Sequence, residues 1–114
     1  MGRADDMIIY KGENFYPAQV EKVVRSFKEL SAEYKIRLTT HERTGADVVT
    51  VVAEYIDEKT NTEEFKAKMK RALREELVVT PEVELVKLGT IERTEFKAKR
   101  IEDKRKKGLK AQSL

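Results

Sequence analysis

The sequence predicts an α+β domain: a small, mainly antiparallel three-stranded sheet flanked by helices, behind an N-terminal hairpin. Three observations carry that expectation. Tyr34, Ile36 and Leu38 alternate with polar residues, and the β-branched run Val48–Tyr55 follows them across a turn at Gly45, the pattern of two antiparallel strands. Val20, Val23, Val24 and Phe27, and later Phe65, Met69, Ala72, Leu73 and Leu77, recur at helical spacing. Strands and helices then alternate irregularly, which favours helices packed on a small sheet over a regular βαβ array.

Each element has a local reason. Met7–Tyr10 is a short apolar run, and Gly12-Glu13-Asn14 after it suggests a hairpin or sharp bend. Pro17 suits the first turn of a helix, where its missing N–H would have had no partner. Thr60, Asn61 and Thr62 compete as N-caps for the second helix, with Glu63 and Glu64 in its first turn. Thr80-Pro81 closes that segment, and Val83 and Leu85 alternate in a third strand. Residues 97–107 are polar and predicted to be partly helical, with Ile101 as the apolar anchor. Met7, Met69 and most aromatic residues are expected on core faces.

At 114 residues the chain is read as a single domain, 1–114, with a basic tail at 104–114. Charged residues make up 39%, with both signs interspersed, which does not favour disorder. The absence of cysteine excludes disulfides, thiolate nucleophiles and zinc-thiolate sites. No stretch has the apolar length of a membrane span and no signal-peptide pattern opens the chain, so a cytoplasmic location and no membrane partner are expected. The net charge of +3 is uneven: residues 87–114 hold ten Lys or Arg against four Asp or Glu, +6, leaving −3 elsewhere. Lys104-Arg105-Lys106-Lys107 could meet nucleic acid or an anionic surface. No aromatic follows Phe96 to stack on a base, so a solvated helix end is the simpler reading.

Two strings could carry chemistry. Arg93, Lys97, Lys99 and Arg100 lie within eight residues, beside Gly89 and Thr90; such a cluster could set a cation against a phosphate or carboxylate. Read alone, it also suits a solvated loop. Asp5 and Asp6 are a possible carboxylate pair, but neighbours on an extended chain point to opposite sides, and a turn or cap is simpler. His41, the lone histidine, sits beside a predicted turn and suits a surface or capping role.

Gly2-Arg3-Ala4-Asp5-Asp6-Met7-Ile8-Ile9, continuing through Lys11-Gly12-Glu13-Asn14-Phe15-Tyr16-Pro17, precedes Arg93-Thr94-Glu95-Phe96-Lys97-Ala98-Lys99-Arg100. Together and in this order they resemble the C-terminal domain of adenylate-forming enzymes, in particular the phenylacetate–CoA ligase branch. The resemblance reaches from Gly2 to about Arg105. It implies an AMP-binding enzyme C-terminal domain fold. Lys97 then looks like the lysine that contacts the carboxylate and ATP phosphate oxygens during adenylation, with Arg93, Thr94 and Arg100 in its supporting loop. Asp5, beside Arg3, falls at the hinge about which such domains turn between the two half-reactions. Lys11, Gly12 and Glu13 look like the loop that lines the pantetheine tunnel in the second.

This sequence departs from the family pattern in three places. Glu92 stands for a proline, Phe96 for a glycine, and Leu77-Val78-Val79 occupies a stretch where a glycine is expected. The resemblance further implies an enzyme that joins an aryl or arylalkyl carboxylate to AMP and then to CoA. ATP and Mg²⁺ would be held mostly by an N-terminal adenylation domain, whose phosphate loop has no counterpart in these residues. The chain alone is expected to be inactive and to hold none of these cofactors tightly. The alternative is a free-standing, non-catalytic binding module of the same fold.

Overall fold

The computed structural model describes residues 7–10, 13–91 and 100–105. Strands β1 (Ile8–Tyr10) and β2 (Glu13–Phe15) form the expected antiparallel hairpin, with Ile8 opposite Phe15 and Tyr10 opposite Glu13. Helix α1 (Pro17–Arg25) follows, then β3 (Leu30–Thr40), β4 (Asp47–Tyr55), α2 (Glu63–Leu77), β5 (Glu82–Lys87) and β6 (Ile101–Asp103).

The last four strands make one sheet in the order β5-β4-β3-β6. Its central pair, β3 and β4, is antiparallel, as the alternation predicts, while β5 joins β4 and β6 joins β3 in parallel. The α+β class holds, with one strand more than the expected three and parallel outer pairings. The physical cause at one edge is α2, whose crossover returns β5 in the direction of β4. At the other edge Ile101, Glu102 and Asp103 pair with Ile36, Arg37 and Leu38. That strand lies inside the segment predicted to be partly helical. Three residues, two of them acidic, are too few to display a period of two.

Local chemistry sets the helix ends. Pro17 opens α1, and the Gln19 side chain accepts from the Tyr16 N–H at 2.8 Å while donating to the Glu76 carbonyl of α2. Of the three N-cap candidates for α2 the structure selects Thr62, whose hydroxyl accepts from Phe65 N–H at 3.1 Å. Both helices cover one face of the sheet. There Val20, Val23 and Val24 of α1 and Phe65, Met69, Leu73 and Leu77 of α2 bury with Tyr34, Ile36, Leu38, Val49, Val51 and Ala53. Phe27 meets Phe65 edge-on, ring centres 5.4 Å apart.

The opposite face is mostly ionic. Arg37 spans from Glu84 on β5 to Glu102 on β6, at 2.9 and 3.4 Å, and Lys35 adds a second contact to Glu102. Two residues on this face depart from that character: Val52 and Glu54 alternate with core-facing Val51 and Ala53, yet are 3% and 0% exposed. Two expectations about packing fail. Met7, expected on a core face, is 45% exposed, and the aromatic Tyr16 is 44% exposed.

Candidate functional site

The site is organised by a bulge in β3. Register runs regularly from Tyr34 opposite Ala53 to Thr40 opposite Asp47, but Leu30 pairs with Tyr55. Ser31, Ala32 and Glu33 therefore stand against Glu54 alone. Ala32 takes a φ of 84° to accommodate the extra length, a left-handed conformation that costs a non-glycine residue roughly 1–2 kcal/mol. The Ser31 hydroxyl stabilises the turn by accepting from Glu33 N–H at 3.2 Å.

Glu54 is a fully buried acid, a placement that needs partners for both oxygens. Its Oε1 accepts the Ser31 hydroxyl at 2.9 Å, and its Oε2 accepts the Ile91 N–H at 2.6 Å. Ile91 is itself buried. This carboxylate thus joins the bulge to the residue immediately before 92–99. Arg100, immediately after 92–99, returns to the same bulge. Its Nη1 donates to the Tyr34 carbonyl at 3.2 Å, its Nη2 lies 3.0 Å from Glu33 Oε1, and its guanidinium stacks 4.7 Å above the Tyr34 ring. Burial, reinforced by Glu21, pushes the Tyr34 hydroxyl up to about 12, so it stays protonated and donates to Glu21 Oε1.

A second cluster ties the hairpin to the other end of the sheet. The Tyr10 hydroxyl donates to the Asp47 carbonyl at 3.1 Å. Arg105 grips both Asp103 oxygens, at 2.9 and 2.8 Å, and donates to the Ile9 carbonyl at 2.7 Å, with Asp47 Oδ2 at 3.7 Å. Hydrogen bonds from Arg105 hold the Asp103 carboxyl below its usual range. Arg105 was expected in a solvated basic tail; its guanidinium is instead committed to β1 and β6.

The sequence-predicted residues divide accordingly. Lys97, Arg93, Thr94, Asp5, Arg3, Lys11 and Gly12 lie outside the described residues, as do Glu92 and Phe96. Glu13 is exposed at the start of β2, opposite Tyr10. Arg100 is pinned to the bulge. His41 caps its turn, Nδ1 accepting from the Arg43 and Thr44 N–H groups. Sequence reasoning missed Glu54, Ser31 and Arg105. An acid inside a β-branched run was the one available signal for Glu54.

Residues 12–105 match the family described as AMP-binding enzyme C-terminal domain. The chain belongs to that family. It is 33% identical over 109 residues to the phenylacetate-coenzyme A ligase of Pseudomonas putida and 32% identical to that of Escherichia coli K12. Each match covers 91% of this chain and 24% of the ligase, so the chain spans about a quarter of those relatives. A solved domain of phenylacetate-coenzyme A ligase from Bacteroides vulgatus superposes with a TM-score of 0.77 at 37% identity, covering 90% of this chain and 96% of that one. A 2-hydroxyisobutyryl-CoA ligase solved with 2-HIB-AMP and CoA in its thioesterification state gives 0.78 at 28% identity, covering 99% of this chain and 24% of that one.

The described geometry anchors two internal positions at opposite ends of β4, Tyr10 at Asp47 and Ile91 at Glu54. Among the described residues no cluster of His, Asp or Glu could hold a metal ion, and no helix is long and apolar enough to cross a membrane.

Proposed function

We propose that this chain is the mobile C-terminal domain of a phenylacetate–CoA ligase-like enzyme, serving two half-reactions in turn from two ends of one sheet. ATP, CoA and an aryl or arylalkyl carboxylate are its substrates, bound chiefly by an N-terminal adenylation domain. In adenylation, Lys97 sets its ammonium, three donors and a fixed positive charge, against the carboxylate and phosphate oxygens as negative charge shifts between them. It positions and stabilises without transferring a proton. In the thioester step the domain turns about Asp5, beside Arg3, and Lys11-Gly12-Glu13 lines the path of the pantetheine thiol.

One geometric observation carries this reading. Tyr10, beside the proposed thioester loop, is bonded at Asp47, whereas Ile91, beside the proposed adenylation loop, is bonded at Glu54. The seven intervening steps of β4 separate the two attachments by roughly 23 Å at ~3.3 Å per residue. A single active centre would not use both ends of a rigid domain at once, so it needs rotation between steps. The 2-hydroxyisobutyryl-CoA ligase supports the same logic. It has been solved both in a postadenylation state and in a thioesterification state, and this fold superposes on each with TM-scores of 0.71 and 0.78.

The test separates the half-reactions in the full-length enzyme. Lys97→Ala is expected to slow carboxylate-dependent ATP–pyrophosphate exchange on the order of 10²–10³-fold. It should leave thioester formation from supplied acyl-adenylate within a few-fold. Gly12→Leu, which adds bulk where the thiol would pass, is expected to do the reverse. Equal losses in both half-reactions for either variant would overturn the assignment.

A further inference from the structure

The residues flanking 92–99 converge on one short stretch of β3. Ile91 is held through Glu54 to Ser31, and Arg100 is held directly by Glu33 and Tyr34. The bulge that makes this possible is strained at Ala32, and strain of this kind persists only where the surroundings over-determine it. The buried carboxylate is equally specific. A leucine there would fill the space without accepting a hydrogen bond from either partner, and nothing about sheet pairing requires an acid.

We infer that Glu54 is a positioning residue for adenylation, with Ser31 and Arg100 as its accessories: together they fix both ends of the segment that carries Lys97. The inference rests on the reading of Lys97 given above. Its physical content is geometric. A cation that stabilises developing charge must be held to a fraction of an ångström, and Ile91 and Arg100, which flank Lys97 in the sequence, are both held at the bulge. The bond from the Ile91 N–H to Glu54 is short, 2.6 Å. The thioester step draws on the far end of β4 and does not depend on this anchor.

Four variants of the full-length enzyme test it, each measured for pyrophosphate exchange and for thioester formation from supplied acyl-adenylate. Glu54→Leu, which removes both acceptors, is expected to lower exchange about 10–100-fold while thioester formation stays within about threefold. Glu54→Gln, which keeps one oxygen for Ile91, should lose less. Arg100→Met removes the anchor at Glu33 and Tyr34 without touching Glu54, and Ser31→Ala keeps the buried acid while removing its hydroxyl partner; both should lower exchange selectively even if Glu54→Leu fails to fold. Combined with Lys97→Ala, none should lower exchange further, because a residue that acts through Lys97 has nothing left to position.

Parallel loss in both half-reactions, unchanged exchange in all four variants, or losses that multiply on the Lys97→Ala background would each overturn the inference. If Lys97→Ala slows exchange and these variants do not, the positioning role fails while the functional reading stands. If Lys97→Ala leaves exchange intact, the functional reading itself fails and takes this inference with it.

Discussion

Val78 ends α2 with a φ of 72° and is 72% exposed. A β-branched residue in the left-handed region is strained by roughly 1–2 kcal/mol, and here it gains little packing in return. Val78→Gly is therefore expected to stabilise the domain by about 1 kcal/mol, since the relieved strain exceeds glycine's added entropy in the unfolded chain. Thermal unfolding should show a midpoint raised by about 4 °C or more; a lowered midpoint would refute the account. The sequence already singles out this place, since a glycine is expected where Leu77-Val78-Val79 stands. Glu54 was far less legible. Its role depends on Ser31, twenty-three residues earlier, and on Ile91, thirty-seven later, and no periodicity encodes such partners.

At the scale of elements, β6 joins the sheet through its pairing with β3, through Ile101 packed against the core and through ion pairs from Lys35 and Arg37. Hydrogen bonds from Lys35 depress the Glu102 carboxyl first, with Arg37 adding to it, and Arg105 does the same for Asp103. A carboxylate whose pKa is lowered on folding stabilises the fold above its unfolded value, near 4, and loses that contribution as pH falls through the folded one. The urea midpoint of the wild type should therefore drop between about pH 6 and pH 3, and Glu102→Gln should lower it at the upper pH while converging with wild type at the lower. A constant gap between the two would mean that Glu102 acts through shape, not charge. The long elements, α1, α2, β3 and β4, were readable because each displays several periods of its pattern. The short strand β6 and the parallel outer pairings were not, since edge order follows from α2's crossover and from ionic contacts across the sheet.

At the scale of the whole molecule, hairpin and sheet are one piece because Tyr10 reaches Asp47 and Arg105 reaches Ile9. Any rotation that begins N-terminal to β1 would carry the bulge and the hairpin together, at opposite ends of β4. The family was legible from its two terminal strings. The anchors that flank those strings were visible only once the fold brought distant residues together. The central claim is that this domain completes an active centre built mainly by a larger partner in the same polypeptide. Its most direct test is the size of the native protein, read in source cells with an antibody raised against these 114 residues. Because the chain spans 24% of its ligase relatives, the account predicts a band about four times 13.2 kDa. A band at 13.2 kDa would contradict it and make the chain a free-standing binding module.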